Sequence, residues 1–117
     1  MMKIRTHKYA ELAYPLIEGI QGSSVEAKYR TLALTFPTII MQSGLAQAIG
    51  FLMAKNKDEH KELLKHMAIL LNEVDSKTLH DKIIDSSVTK YQLLSREALD
   101  ASAWLKRYTQ ALLEKQS

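Results

Sequence analysis

Cysteine is absent from these 117 residues, so neither a disulfide nor a thiolate metal site is available. That fits a reducing compartment. An alternating strand pattern is missing, as is any Asn-Gly hairpin turn, so a sheet has no signature in the chain. No glycine-rich phosphate loop and no nucleophile elbow occurs. The sixteen basic residues form no arginine run of the kind that marks a disordered nucleic-acid arm. The start, Met-Met-Lys-Ile-Arg-Thr-His-Lys, has no apolar signal-peptide core behind it, and the expected location is cytoplasmic.

Formal charge is absent from one long stretch. From Thr31 to Ala54 there is no Lys, Arg, Asp or Glu, and about 20 apolar residues suffice to cross a bilayer. Gln42, Ser43, Gln47 and three threonines dilute this stretch, and Pro37 and Gly44 interrupt it. It reads instead as two core helices meeting near Ser43–Gly44, in a protein with no membrane segment. A mean hydropathy of −0.18 fits that reading.

What is there is helical periodicity. Tyr9, Ala13, Leu16 and Ile20 share one face of a helix expected from about Thr6 to Gln21, with a kink or late start at Pro15. Ser23 and Glu26 have capping-box spacing ahead of Val25, Tyr29, Leu32 and Phe36. Pro37 suits the first turn of another helix, whose core positions are Ile40, Leu45, Ile49, Leu52 and Met53. Asn56 and Glu59 suggest a second capping box before Leu63, Leu64, Met67, Leu70, Leu71 and Val74. Asp75–Lys77 reads as a turn, and Leu79, Ile83 and Ile84 as a short helix ending at Ser86–Ser87. Tyr91, Leu94, Ala98, Ala101, Leu105, Tyr108 and Leu112 then alternate spacings of three and four, an a/d seam. The predicted fold is all-α, a compact bundle of five to six helices in a single domain over 1–117.

The net charge is +3, with pI near 9.1. Residues 55–82 carry six lysines against six acids, so the excess lies toward the two ends of the chain. A surplus of this size permits polyanion binding without demanding it. The candidate polyanion-binding residues, RNA-binding if the resemblance given below holds, are Lys3, Arg5, Lys28, Arg30, Lys106 and Arg107; each also reads as an ordinary solvated cation. Tyr91, Trp104 and Tyr108 are candidate partner-interface residues, with core packing as the competing reading. His7, His60, His66 and His80 show no metal-ligand spacing. Glu62 and His66 share a helix face on what reads as a solvated surface, and His80–Asp81 as an exposed turn. No catalytic residue, cofactor or metal is predicted.

Two segments together resemble a known helical family. One comprises Lys28-Tyr29, Leu32, Pro37, Ile40, Gly44-Leu45, Ala48 and Phe51-Leu52. The other is Ser95-Arg96-Glu97-Ala98-Leu99 followed by Trp104-Leu105-Lys106-Arg107-Tyr108. Their order and spacing are similar to the small all-helical subunit of the type III-B CRISPR effector, the RAMP module or Cmr complex. The resemblance covers nearly the whole chain. It implies a non-catalytic structural subunit of an antiviral, RNA-guided complex, stacked as a minor filament along the guide-RNA backbone and helping to hold guide and target RNA. Its implied partners are the other effector subunits, guide RNA, target RNA and, through self-association in the filament, further copies of itself. Two other readings stay open: a helical adaptor docking a partner through the Tyr91–Leu112 seam without nucleic acid, and a metal enzyme using His60, His66 or His80.

Overall fold

The computed structural model describes residues 5–114, with side chains from His7 onward. Six helices follow one another: α1 Arg5–Ile20, α2 Glu26–Ser43, α3 Leu45–Lys55, α4 Asp58–Leu70, α5 Ser76–Ile84 and α6 Val88–Leu112. Among the described residues there is no strand, so the all-α expectation holds. No helix among them is long and apolar enough to cross a membrane.

Helix α6 is the spine. Its 25 residues make about 37 Å of helix, close to the long dimension of a molecule measuring 43 × 41 × 25 Å. It packs along both α1 and α2. Leu94, Ala98, Ala101 and Leu105 of the predicted seam are buried, while Tyr91, Tyr108 and Leu112 border the core. Small Ala98 and Ala101 at its middle let neighbouring backbones approach. Helices α1 and α6 run in the same direction, since Gln21 Nε2 at the end of α1 donates to the Leu112 carbonyl at the end of α6.

Several local expectations are corrected by how the ends are tied. Ser23 does not open α2. The helix starts at Glu26, whose carboxylate accepts from the Gly22 amide at 2.9 Å and the Glu114 amide at 3.0 Å. One side chain thus joins the α1–α2 turn to the end of the bundle, and these two amides hold its pKa below the ordinary glutamate value. Asn56 closes α3 in the left-handed conformation (φ 51°) rather than opening α4, which has Lys57 before its first turn. Asparagine tolerates that conformation better than most residues, and its short polar side chain gives the same sequence signal at either helix end.

Neither proline ends a helix. Pro15 lies on an exposed position of α1 and Pro37 within α2. Around Pro37 the buried Ala33, Phe36 and Ile40 hold both flanking turns in place, so tertiary packing outweighs the lost amide. The break comes at Gly44 instead, where φ 86° and ψ 159° require glycine. Tyr91 fixes that corner: its hydroxyl accepts from the Ala46 amide at 3.0 Å. Asp75 and Ser87 cap α5 and α6, accepting from the amides of Thr78 and Lys90; Asp75–Lys77 is therefore a helix start more than a turn.

Most predicted core positions are buried, and Ile17 joins them. Met53, Val74 and Ile84 do not; all three are exposed. Val74 lies past the end of α4, where the helical spacing that placed it on the apolar face no longer applies. His66 is corrected in the other direction. It is 3% exposed, in the core, because α4 is flanked by α1, α2, α3 and α5 and retains little solvated face. His80–Asp81 lies within α5 and is not a turn.

Candidate nucleic-acid interface

The predicted cations do not converge on one patch. Lys3 lies outside the described residues, and of Arg5 only the backbone, in the first turn of α1, is described. Lys28 and Arg30 sit about 200° apart around α2. Lys28 is exposed, whereas Arg30 is half-buried, with its Nε covered and without a hydrogen bond. Lys106 is half-buried and Arg107 exposed; Arg107 borders a small recess beside Trp104.

The three aromatic candidates serve different ends. Tyr91 is committed to the α2–α3 corner through its hydroxyl. Trp104 and Tyr108 stand one turn apart on α6 with ring centroids 5.6 Å apart, and Tyr14 of α1 meets Tyr108 edge-on at 5.2 Å. Together they make a half-exposed aromatic strip with Arg107 at its side.

Lys28 gains its setting from residues distant in sequence. It borders a groove of about 540 Å³ between α2, α3 and α4. Leu32, Ile39 and Phe51 line its apolar part, and Lys57, Glu59 and His60 its α4 side. Lys55 places its Nζ 5.9 Å from the Phe51 ring centroid, and His60 meets the same ring edge-on at 5.5 Å. Glu59 and His60 are 9% and 8% exposed. His60 Nδ1 approaches Glu59 Oε2 to 3.5 Å without hydrogen-bond alignment, and is otherwise a covered nitrogen with no partner. Sequence reasoning overlooked Phe51, Lys57, Glu59 and His60 as a set. Drawn from α3, the α3–α4 link and the first turn of α4, they share no spacing that periodicity could detect.

A second cleft, of about 280 Å³, draws Lys8 from α1, Lys82 from α5 and Lys90 from α6 toward the end of α4 at Leu71–Asn72. Lys82 is paired with Glu73 at 2.7 Å, and the negative end of the α4 dipole favours cations there. A third recess, about 520 Å³ at the α5–α6 corner, is apolar, with Ile84 and Val88 exposed on it. Elsewhere polar groups are tied into the scaffold. The buried Tyr29 hydroxyl meets His66 Nδ1 at 2.7 Å, and His66 Nε2 lies 3.6 Å from Glu62 Oε2. Burial, aided by nearby Lys65, depresses the His66 pKa to about 4; burial, then the charge of Glu62, raises that of Tyr29. Among the described residues no group of three His, Asp or Glu is placed to hold a metal ion.

Residues 5–112 match the model of the family described as CRISPR-associated protein (Cas_Cmr5). The chain is 33% identical over 113 residues to the CRISPR system Cmr subunit Cmr5 of Thermus thermophilus, covering 97% of this chain and 99% of that one. Its fold is similar to the crystal structure of a CRISPR-associated Cmr5 family protein from the same organism. There the TM-score is 0.92 at 33% identity, over 97% of this chain and 100% of the other.

Proposed function

The chain belongs to the Cas_Cmr5 family of CRISPR-associated proteins, and on that premise we propose that it is the small, non-catalytic structural subunit of a Cmr, type III-B, RNA-guided effector. The observation that carries this reading is likeness in sequence and fold over nearly the whole length of both chains. In this role the subunit stacks with further copies along the guide-RNA backbone and helps hold guide and target RNA during antiviral defence, in the cytoplasm. Cleavage is left to other subunits.

The disposition of polar groups supports a scaffold. Glu26 and Asp75 are spent on backbone amides, His66 on Tyr29 and Lys82 on Glu73. Exposed cations without an ion-pair partner among the described residues, Lys28 and Arg107 among them, suit weak phosphate contacts that gain strength by repetition along a filament. Lys106, half-buried next to Arg107 on α6, is a further phosphate contact in this reading, as are Lys3, Arg5 and Arg30. The aromatic strip of Trp104 and Tyr108, with Tyr91 at the α5–α6 corner, is where we place protein partners, since tyrosine and tryptophan are enriched at interfaces.

The apolar recess at Ile84 and Val88 also favours a second reading, a helical adaptor that meets proteins and no nucleic acid. Mixing the purified chain with the remaining Cmr subunits, with and without guide RNA, separates the two. Co-elution of the chain with the loaded complex, and no nuclease activity in the chain alone, are the expected results. Exclusion from the complex, or RNA cleavage by the isolated chain, would overturn the proposal.

A further inference from the structure

We propose that the groove between α2, α3 and α4 holds a single unpaired RNA nucleotide, its base on the apolar wall and its phosphate between Lys28 and Lys57. The inference rests on the RNA-effector reading above and names where in this chain the RNA is met.

The groove offers three chemistries in the order a nucleotide presents them. Its wall of Leu32, Ile39 and Phe51 suits the face of a base, which any of the four bases supplies. Its volume of about 540 Å³ falls inside the range of about 300–1,000 Å³ typical of small-ligand sites. At its rim Lys28 and Lys57 are exposed, and neither has an ion-pair partner among the described residues. Lys28 and Lys57 line the groove with one carboxylate, that of Glu59, and Lys55 adds a third ammonium group over the Phe51 ring.

The α4 side supplies the polar edge. A covered nitrogen without a hydrogen bond, as at His60 Nδ1, is costly in a folded protein and calls for a partner. Beside it the Glu59 carboxylate accepts hydrogen bonds. An acceptor and an imidazole among the residues lining an apolar groove match the donors and acceptors along a base edge. A protein segment fits less well. Lysine is depleted from protein–protein interfaces, and here lysines and the exposed Thr31 and Thr35 form the rim.

The test uses the full chain and a fluorescein-labelled oligouridylate at about 50 mM salt, with binding followed by anisotropy. Lys28→Glu/Lys57→Glu and Thr31→Glu alter only exposed positions, so their folding is checked by unchanged melting. The double variant should bind at least about ten-fold more weakly, and the salt slope should fall by about 0.7, the share of the one phosphate no longer neutralised. Thr31→Glu should also weaken binding, while Lys90→Glu, a charge reversal on α6, should change it less than about two-fold. In the assembled effector, target RNA carrying 4-thiouridine should crosslink to peptides containing Phe51 or His60. Wild-type affinity in the double variant, or crosslinks confined to the Trp104–Tyr108 segment, would overturn the groove and leave the subunit reading intact. Variants that keep RNA binding but drop out of the complex would overturn it too, making the groove a protein-docking surface. A wild-type chain that neither joins the effector nor binds RNA would remove both proposals.

Discussion

Tyr29 and His66 show how much a single residue's environment decides. In solution histidine titrates near 6.5; in the core of this bundle the value falls to about 4, chiefly by burial. The unfolded chain therefore takes up a proton below pH 6.5 that the folded chain refuses until about pH 4. Stability from this group is complete above pH 6.5 and falls by roughly 3 kcal/mol between 6.5 and 4. Urea unfolding at pH 7.5 and 4.5 measures that loss, and His66→Gln should flatten it. At neutral pH Tyr29→Phe leaves Nδ1 unpaired in the core and should cost about 1–3 kcal/mol. Gly44→Ala is a second test at this scale. The added methyl would stand 3.4 Å from the Tyr91 hydroxyl on a backbone at φ 86°, and the strain should cost about 1–3 kcal/mol. Sequence alone marked Gly44 as a break but missed His66. A Glu–His pair one turn apart among lysines has the signature of a solvent face, and only the helices packed around α4 remove the water.

Among elements, α6 was legible because its seam repeats without interruption and one face meets two neighbours. Ala98 and Ala101, both fully buried, leave no room for growth. Ala98→Leu should destabilise the fold by about 1–3 kcal/mol through overpacking, and Leu105→Ala by about 2–5 kcal/mol through a cavity; thermal melts check both. The ends of elements were harder to read. Glu26 was recognised as a capping residue, but its partners are the Gly22 and Glu114 amides, the second lying 88 residues away, beyond any local pattern. Glu26→Ala should therefore speed amide exchange at Glu114, far along the chain, more than within α2. Since the Glu26 pKa is lowered in the folded state, the clamp is present above its ordinary value of 4.5 and loosens as pH drops below it. Pro37 misled for the opposite reason. Its intrinsic preference was clear, and buried neighbours on both sides outweighed it.

On the scale of the whole molecule the six helices followed from periodicity, whereas the surface did not. Lys28 was a candidate from sequence, yet its companions Lys57 and Phe51 arrive from α4 and α3 through the corner that Asn56 turns. The same folding separates Lys28 from Arg30, which adjacency in sequence had grouped. With its cations distributed in this way, an isolated chain contacting about three phosphates should show a salt slope near −2 on single strands, and bind poorly at physiological salt. In the proposed role, affinity in the effector would come from repetition. The most direct measurement is a pull-down of the tagged protein from its native host, with bound RNA sequenced. Recovery of the other Cmr subunits together with short RNAs sharing a repeat-derived 5′ end is the predicted result. Recovery of unrelated proteins and no such RNA would contradict the account and favour the helical adaptor.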